Sequence, residues 1–174
     1  LAESAESEAT SGSGWYDEVR LAQRTIPDSL GRNGVGTDGR IHPVEICRAL
    51  QPWIDRGAHI VSDGGEFGQW IQAGLQSDDM VINGPGGAIG LAVPMGLAVR
   101  HANPGKPVFV LTGDGSFGFH AMEMDTALRY RLPVVVIVGN DGLWHAEHPL
   151  QISNYGPSRT SPCDLLNTRS ALVV

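Results

Sequence analysis

The sequence predicts an α/β protein built on an open, mainly parallel sheet with helices on both faces. Three observations carry that expectation. PVFVLT (107–112) and PVVVIV (133–138) are continuous β-branched runs, the pattern of central parallel strands covered on both sides. Between them FGFHAMEMDTALRYR (117–131) reads as the connecting helix of a βαβ unit. Glycine-rich turns at 63–68, 84–87 and 113–118 follow apolar runs, where open parallel sheets bind ligands beyond the carboxyl ends of their strands.

The remaining elements follow in order. Residues 1–14 are small and acidic and read as linker, WYDEVRLAQRT (15–25) as a short amphipathic helix, and 27–40 as a turn-rich wrap. Pro43–Ile54 reads as a helix, with Pro43 tolerated in its first turn. AHIVS (58–62) and MVI (80–82) read as short strands, the first followed by the turn DGGEFG. The nearly all-apolar stretch 88–101 reads as a buried helix that Pro94 should kink. A fourth polar turn, GNDGLWH, follows the strand 133–138. The expected division is therefore a linker and wrap over 1–41 and one α/β domain over 42–174. Because the chain opens on Leu1 and closes on the apolar SALVV, that domain is expected to be a truncated piece of a longer polypeptide.

Composition narrows the function classes. The net charge is −7 and Lys106 is the only lysine, which disfavours nucleic acid or an anionic membrane as partner. No apolar run approaches the length of a membrane span. Cys47 and Cys163 are far apart and suggest neither a disulfide framework nor a zinc site, so a reducing cytoplasm is the expected location.

The most informative stretch is FVLTGDGSFGF, residues 109–119. Gly113, Gly115 and Gly118 satisfy the G-x-G-x-x-G pattern of dinucleotide sites, and Asp141 could serve as the ribose-binding acid. Asp114 argues against that reading, because a carboxylate among the turn amides repels a pyrophosphate. A plain strand-to-helix turn with a capping aspartate is the bland alternative. The conflict disappears if a divalent cation lies between carboxylate and diphosphate. Asp114 is then a ligand of a hard, oxygen-coordinated Mg²⁺. The second side-chain ligand is expected from the next strand end, as Asn140 or Asp141, with a backbone carbonyl from Gly142 or Leu143.

GDGS, a βαβ unit and a closing GND together resemble the fingerprint of thiamine-diphosphate-dependent enzymes, and residues 42–158 resemble their diphosphate-binding domain in the acetolactate synthase-like branch. The resemblance implies the thiamine-diphosphate-binding fold, with thiamine diphosphate and Mg²⁺ as cofactors. It makes Asp114, Asp141 and the Leu143 carbonyl the metal ligands, with Asn140 as the alternative side chain. Asp141 stands where the family usually has asparagine. Gly113, Gly115 and Ser116 would border the diphosphate, together with the backbone amides near Gly65, Glu66 and Phe67. Gly87, Ala88 and Ile89 would hold the aminopyrimidine, the Gly87 carbonyl accepting from its 4′-amino group and Ile89 wedging the cofactor into a bent shape. Trp144 would border the cofactor, and His120, Trp144 and His145 are candidates for the substrate pocket. A solvated loop role is the bland reading of those histidines.

The activity implied is carboligase or lyase chemistry on small 2-keto or 2-hydroxy acyl substrates, acetolactate synthase-like. Alternatives are a 2-hydroxyacyl-CoA lyase or oxalyl-CoA decarboxylase acting on a CoA thioester, and a non-catalytic diphosphate-binding remnant. No catalytic side chain is identified in the chain itself. The activating glutamate is expected in a pyrimidine-binding domain of the same or a neighbouring subunit, within a homodimer or homotetramer.

Overall fold

The structure, a computed structural model, describes residues 13–24, 39–83, 86–160 and 163–165. Residues 1–12 of the expected linker 1–14 and 27–38 of the wrap 27–40 lie outside the described residues, as do Gly84, Pro85 and the closing SALVV, while Ser13 and Gly14 already belong to a helix. Helix α1 (Ser13–Arg24) exposes Trp15, Tyr16 and Leu21. Helix α2 (Pro43–Ile54) starts at His42, whose Nδ1 accepts from the Val44 amide at 3.2 Å, with proline at the helix start as expected.

The sheet has four strands: β1 (His59–Ser62), β2 (Met80–Ile82), β3 (Val108–Gly113) and β4 (Val135–Gly139). All three pairings are parallel, in the order β2-β1-β3-β4. The chain thus winds outward from β1 to β2, then crosses back over β1 to β3. The order reverses between β1 and β3, and it is there that a crevice opens at the carboxyl ends of parallel strands.

Helices cover both faces. Alternation along β3 sends Phe109 and Leu111 to one side, where they pack with Ile60, with Cys47 and Leu50 of α2, and with Ile71 of α3 (Gly65–Gly74). Val108 and Val110 point to the other side, against Val93 of α4 (Ala92–Ala102) and Phe117 of α5 (Asp114–His120). The expected α/β fold with a covered parallel sheet is what the structure contains.

Four local expectations are corrected. The turn read at 63–68 is already helix from Gly65. Gly68 is needed there, because a Cβ would stand 2.0 Å from the Asp63 carbonyl oxygen. The helix read at 117–131 begins at Asp114 and breaks at Ala121 and Met122 into α5 and α6 (Glu123–Tyr130). The helix read from residue 88 starts at Ala92. Pro94 therefore falls in its first turn, where its missing N–H removes no helical bond, and the helix runs unbroken to Ala102. Lastly, β4 is not a central strand: it is one edge of the sheet among the described residues, with β2 at the other. Although Ile137 and Val136 pack partly against the cores on opposite faces, Val135 is 50% exposed.

Candidate functional site

Three strand ends and one helix start meet at the switch point. There a cleft of about 280 Å³ is lined by Gly64–Phe67 from the β1–α3 junction, Gly87 and Ile89 from the turn before α4, and Gly113–Ser116 from the β3–α5 junction. Asp141, Leu143, Trp144 and His145 from the loop after β4 close it. Nearly all the sequence-predicted cofactor residues are therefore brought together. Ala88 and His120 do not line the cleft. Asn140 borders a larger adjoining hollow of about 840 Å³, which Asp141 and His145 also reach.

The β3 and β4 ends are tied to each other through Asp114. Its Oδ1 accepts from the Gly115 amide and its Oδ2 from the Gly142 amide, each at 3.0 Å. Burial raises its carboxyl above the ordinary aspartate range, the Gly115 and Gly142 amides pull it back, and the nearby Asp141 charge adds a further rise. Asp141 Oδ1 accepts from the Leu143 amide at 3.0 Å, and Oδ2 faces His145 Nδ1 at 3.0 Å. The loop is clamped from behind. The Trp144 amide donates to the Cys163 carbonyl at 2.8 Å, and the Leu165 amide to the Gly142 carbonyl at 2.7 Å.

Close packing shapes the walls. A Cβ on Gly115 would stand 2.7 Å from Trp144 Cζ3, and one on Gly139 would stand 2.5 Å from Phe67 Cδ2. Trp144 meets Phe119 edge-on with centroids 6.1 Å apart. Glu66 is engaged by Trp70, whose Nε1 donates to Oε1 at 3.1 Å. His120 turns away from the cleft, donating from Nδ1 to the Gly90 carbonyl at 2.6 Å.

One buried polar residue beside the cleft was not singled out in the sequence. Asp63, read only as part of a turn, is 1% exposed and collects hydrogen bonds from both sides of the switch point. Its available signal was an aspartate ending an apolar strand immediately before two glycines.

A profile of the family described as "Thiamine pyrophosphate enzyme, C-terminal TPP binding domain" matches residues 63–173. The chain belongs to this family. It is 34% identical over 148 residues to the acetolactate synthase large subunit IlvG of Mycobacterium tuberculosis, a match covering 82% of this chain and 27% of that protein. It is 33% identical over 132 residues to the acetolactate synthase of Bacillus subtilis, covering 74% and 23%. It is also 34% identical over 111 residues to the 2-hydroxyacyl-CoA lyase 2 of Caenorhabditis elegans, covering 62% and 17%. The chain thus spans about a quarter or less of the length of these relatives.

The cofactor of the family is thiamine diphosphate, with Mg²⁺ as its usual metal, and the cleft's donor set suits both. Asp114 and Asp141 offer hard carboxylate oxygens on one wall, each with a second lone pair beyond the amide it accepts. A pair of carboxylates suits a cation such as Mg²⁺ that keeps phosphate oxygens and water in its shell. Gly113 has open space where a Cβ would stand, room for a diphosphate to approach the backbone, whereas the space at Gly115 is taken by the Trp144 ring. No helix among the described residues is long and apolar enough to cross a membrane.

Proposed function

We propose that this chain is the diphosphate- and metal-holding part of a thiamine-diphosphate- and Mg²⁺-dependent enzyme that forms or cleaves carbon–carbon bonds in small 2-keto or 2-hydroxy acyl substrates, with acetolactate synthase-like chemistry. The observation that carries the reading is the Asp114–Gly142 link, which sets two carboxylate-bearing strand ends side by side in the cleft of the switch point. A CoA-thioester lyase is the second reading, favoured by the C. elegans relative's name.

In this reading Asp114, Asp141 and the Leu143 carbonyl hold the metal. Asp141 is preferred to Asn140 because it borders the same cleft as Asp114. The Ser116 side chain faces the diphosphate, and Gly115, whose amide donates to Asp114 Oδ1, borders it. The first-turn amides of α3, Gly65 to Phe67, add their positive helix end from across the cleft. Gly87 would offer its carbonyl to the 4′-amino group of the aminopyrimidine, and Ile89, which lines the same cleft, would pack against the cofactor. The cofactor, when bound, supplies the nucleophilic carbon and electron sink of the reaction. The residues of this chain position it, neutralise its phosphates through the metal, and keep water from its face. His145 and Trp144 border the substrate side. A pyrimidine-binding domain of the same or a neighbouring subunit, carrying the activating glutamate, completes the site in a homodimer or homotetramer. The protein's location is cytoplasmic in this reading.

The test is a calorimetric titration of the chain with thiamine diphosphate, in Mg²⁺ and then in EDTA, with NAD as control ligand. Binding that EDTA abolishes and Asp114→Ala weakens is expected; NAD binding without thiamine diphosphate binding overturns the reading. Product analysis of the intact polypeptide given pyruvate or a 2-hydroxyacyl-CoA separates the two chemistries.

A further inference from the structure

We infer that Asp63 is a positioning residue: a buried carboxylate that fixes the aminopyrimidine wall of the cleft without touching the cleft itself. It terminates β1 and is almost wholly enclosed. Oδ1 accepts from the Gly64 and Gly90 amides, both at 2.9 Å, and Oδ2 accepts from the Ala92 amide at 3.2 Å and from Thr112 Oγ1 at 3.3 Å. One side chain therefore ties the end of β1 to the start of α4 and to β3. Four donors on a single buried carboxylate form a satisfied network, and such networks hold one arrangement because any alternative strands polar groups in the interior.

The object they hold is the turn that ends at Gly90. That residue has φ +89°, and a Cβ there would stand 2.6 Å from Phe119 Cβ, so the backbone lies directly on α5. Its amide is held by Asp63 and its carbonyl by His120 Nδ1 at 2.6 Å. Just upstream, Gly87 and Ile89 reach into the cleft. Neither Asp63 nor His120 lines the cleft, yet together they anchor the wall that does. The opposite wall, which carries Asp114 and Asp141, is held by a separate set of bonds through Gly142 and Leu143. The two walls should therefore fail independently. Loss of Asp63 damages recognition of the organic half of the cofactor and spares the metal–diphosphate half.

The ligand arm of the test rests on the cofactor reading above; the exchange arm does not. The chain, Asp63→Asn and His120→Ala are each titrated with thiamine diphosphate and with inorganic pyrophosphate, both in Mg²⁺. Amide hydrogen exchange is followed at Gly90, Ala92 and Gly142. The asparagine keeps one acceptor oxygen but turns an NH₂ toward the Ala92 amide. Asp63→Asn is expected to weaken thiamine diphosphate by at least about tenfold, leave pyrophosphate within about twofold, and speed exchange at Gly90 and Ala92 but not at Gly142. His120→Ala should move the same quantities in the same direction by a smaller factor, and carries the test if Asp63→Asn does not fold. Parallel losses for both ligands, or unchanged exchange at Gly90 in both variants, overturn the inference. A parent chain that binds pyrophosphate and ignores thiamine diphosphate overturns the cofactor reading instead, and the exchange data still decide the positioning role.

Discussion

The Asp114 carboxylate accepts the Gly142 amide at 3.0 Å, although the two residues are 28 apart in sequence. This bond makes one wall out of two turns, since Asp114 opens α5 after β3 and Gly142 sits in the loop after β4. The same carboxylate is the first candidate metal ligand. In the proposed reading, holding the loop and holding a cation are therefore coupled in one side chain.

Asp114→Ala is expected to remove both functions. Mg²⁺-dependent binding of thiamine diphosphate should fall by at least about a hundredfold, the loss of one charge-assisted bond alone being worth about 1.5–3 kcal/mol. Exchange at the Gly142 amide should accelerate in the metal-free variant as well. Asp114→Asn keeps an acceptor oxygen and should protect Gly142 better than it preserves metal affinity. Calorimetry and amide exchange on the two variants check the separation; equal metal affinity in Asp114→Ala and the parent would remove Asp114 from the metal site.

The sheet and its rim were legible because their signals are local. Runs such as VFVLT and VVVIV identify strands, and glycines after each mark the ligand-bearing ends. The helix from Gly65 was not legible, because glycines that read as turn signals are packing contacts: Gly64 against the Asn83 side chain and Gly68 against the Asp63 carbonyl. Asp63 was missed for a related reason. Its partners at 90, 92 and 112 are distant in sequence, and nothing in DGGEFG distinguishes a buried strut from a turn aspartate. The clamp on residues 142–144 by 163–165 is likewise a tertiary pairing with no local pattern. The edge position of β4 could not be read from a run whose composition matches that of β3.

Gly139→Ala tests the packing at the end of β4. Gly139 pairs with Gly113 in the ladder, and the space left by the missing side chain is taken by the Phe67 ring. A methyl group there would sit 2.5–2.8 Å from three ring carbons, so the ring or the strand must shift. Overpacking of this kind costs about 1–3 kcal/mol. A lower urea midpoint is expected, with part of the loss recovered in Gly139→Ala combined with Phe67→Leu. Strict additivity of the two substitutions would show that the contact carries no strain.

Cys47 predicts a pH effect far from the cleft. Burial pushes its thiol up to about 11, and its Sγ–H points to the Trp70 carbonyl at 3.8 Å. The folded chain thus favours the neutral thiol more strongly than the unfolded chain does. That contribution is complete below the ordinary thiol value of about 8.5 and is lost as pH rises toward about 11. Urea stability should fall over this range, and Cys47→Ala should lack that part of the fall. In the native state at pH 8, Cys47 should resist iodoacetamide; rapid labelling of Cys47 without unfolding would contradict the buried placement.

Trp144 offers a direct report on the cleft. Its ring covers Gly115, meets Phe119 edge-on and lines the cleft beside the Gly113–Ser116 turn. Trp70 lies instead against the adjoining hollow, engaged with Glu66 and His42, and Trp53 stacks with Arg56 on the outside of the domain. A ligand entering the cleft should therefore alter the emission of one tryptophan most strongly. Thiamine diphosphate with Mg²⁺ is expected to quench the fluorescence of the chain, and Trp144→Phe should remove most of that change while the aromatic ring retains the cover over Gly115. Gly115→Ala forces the ring outward, because its methyl group would stand within 3.0 Å of three indole carbons, and should shift the emission to the red without any ligand. Combining Gly115→Ala with Trp144→Leu relieves the collision and should recover the thermal stability lost in Gly115→Ala alone. A quench of undiminished size in Trp144→Phe would place the bound cofactor away from this wall.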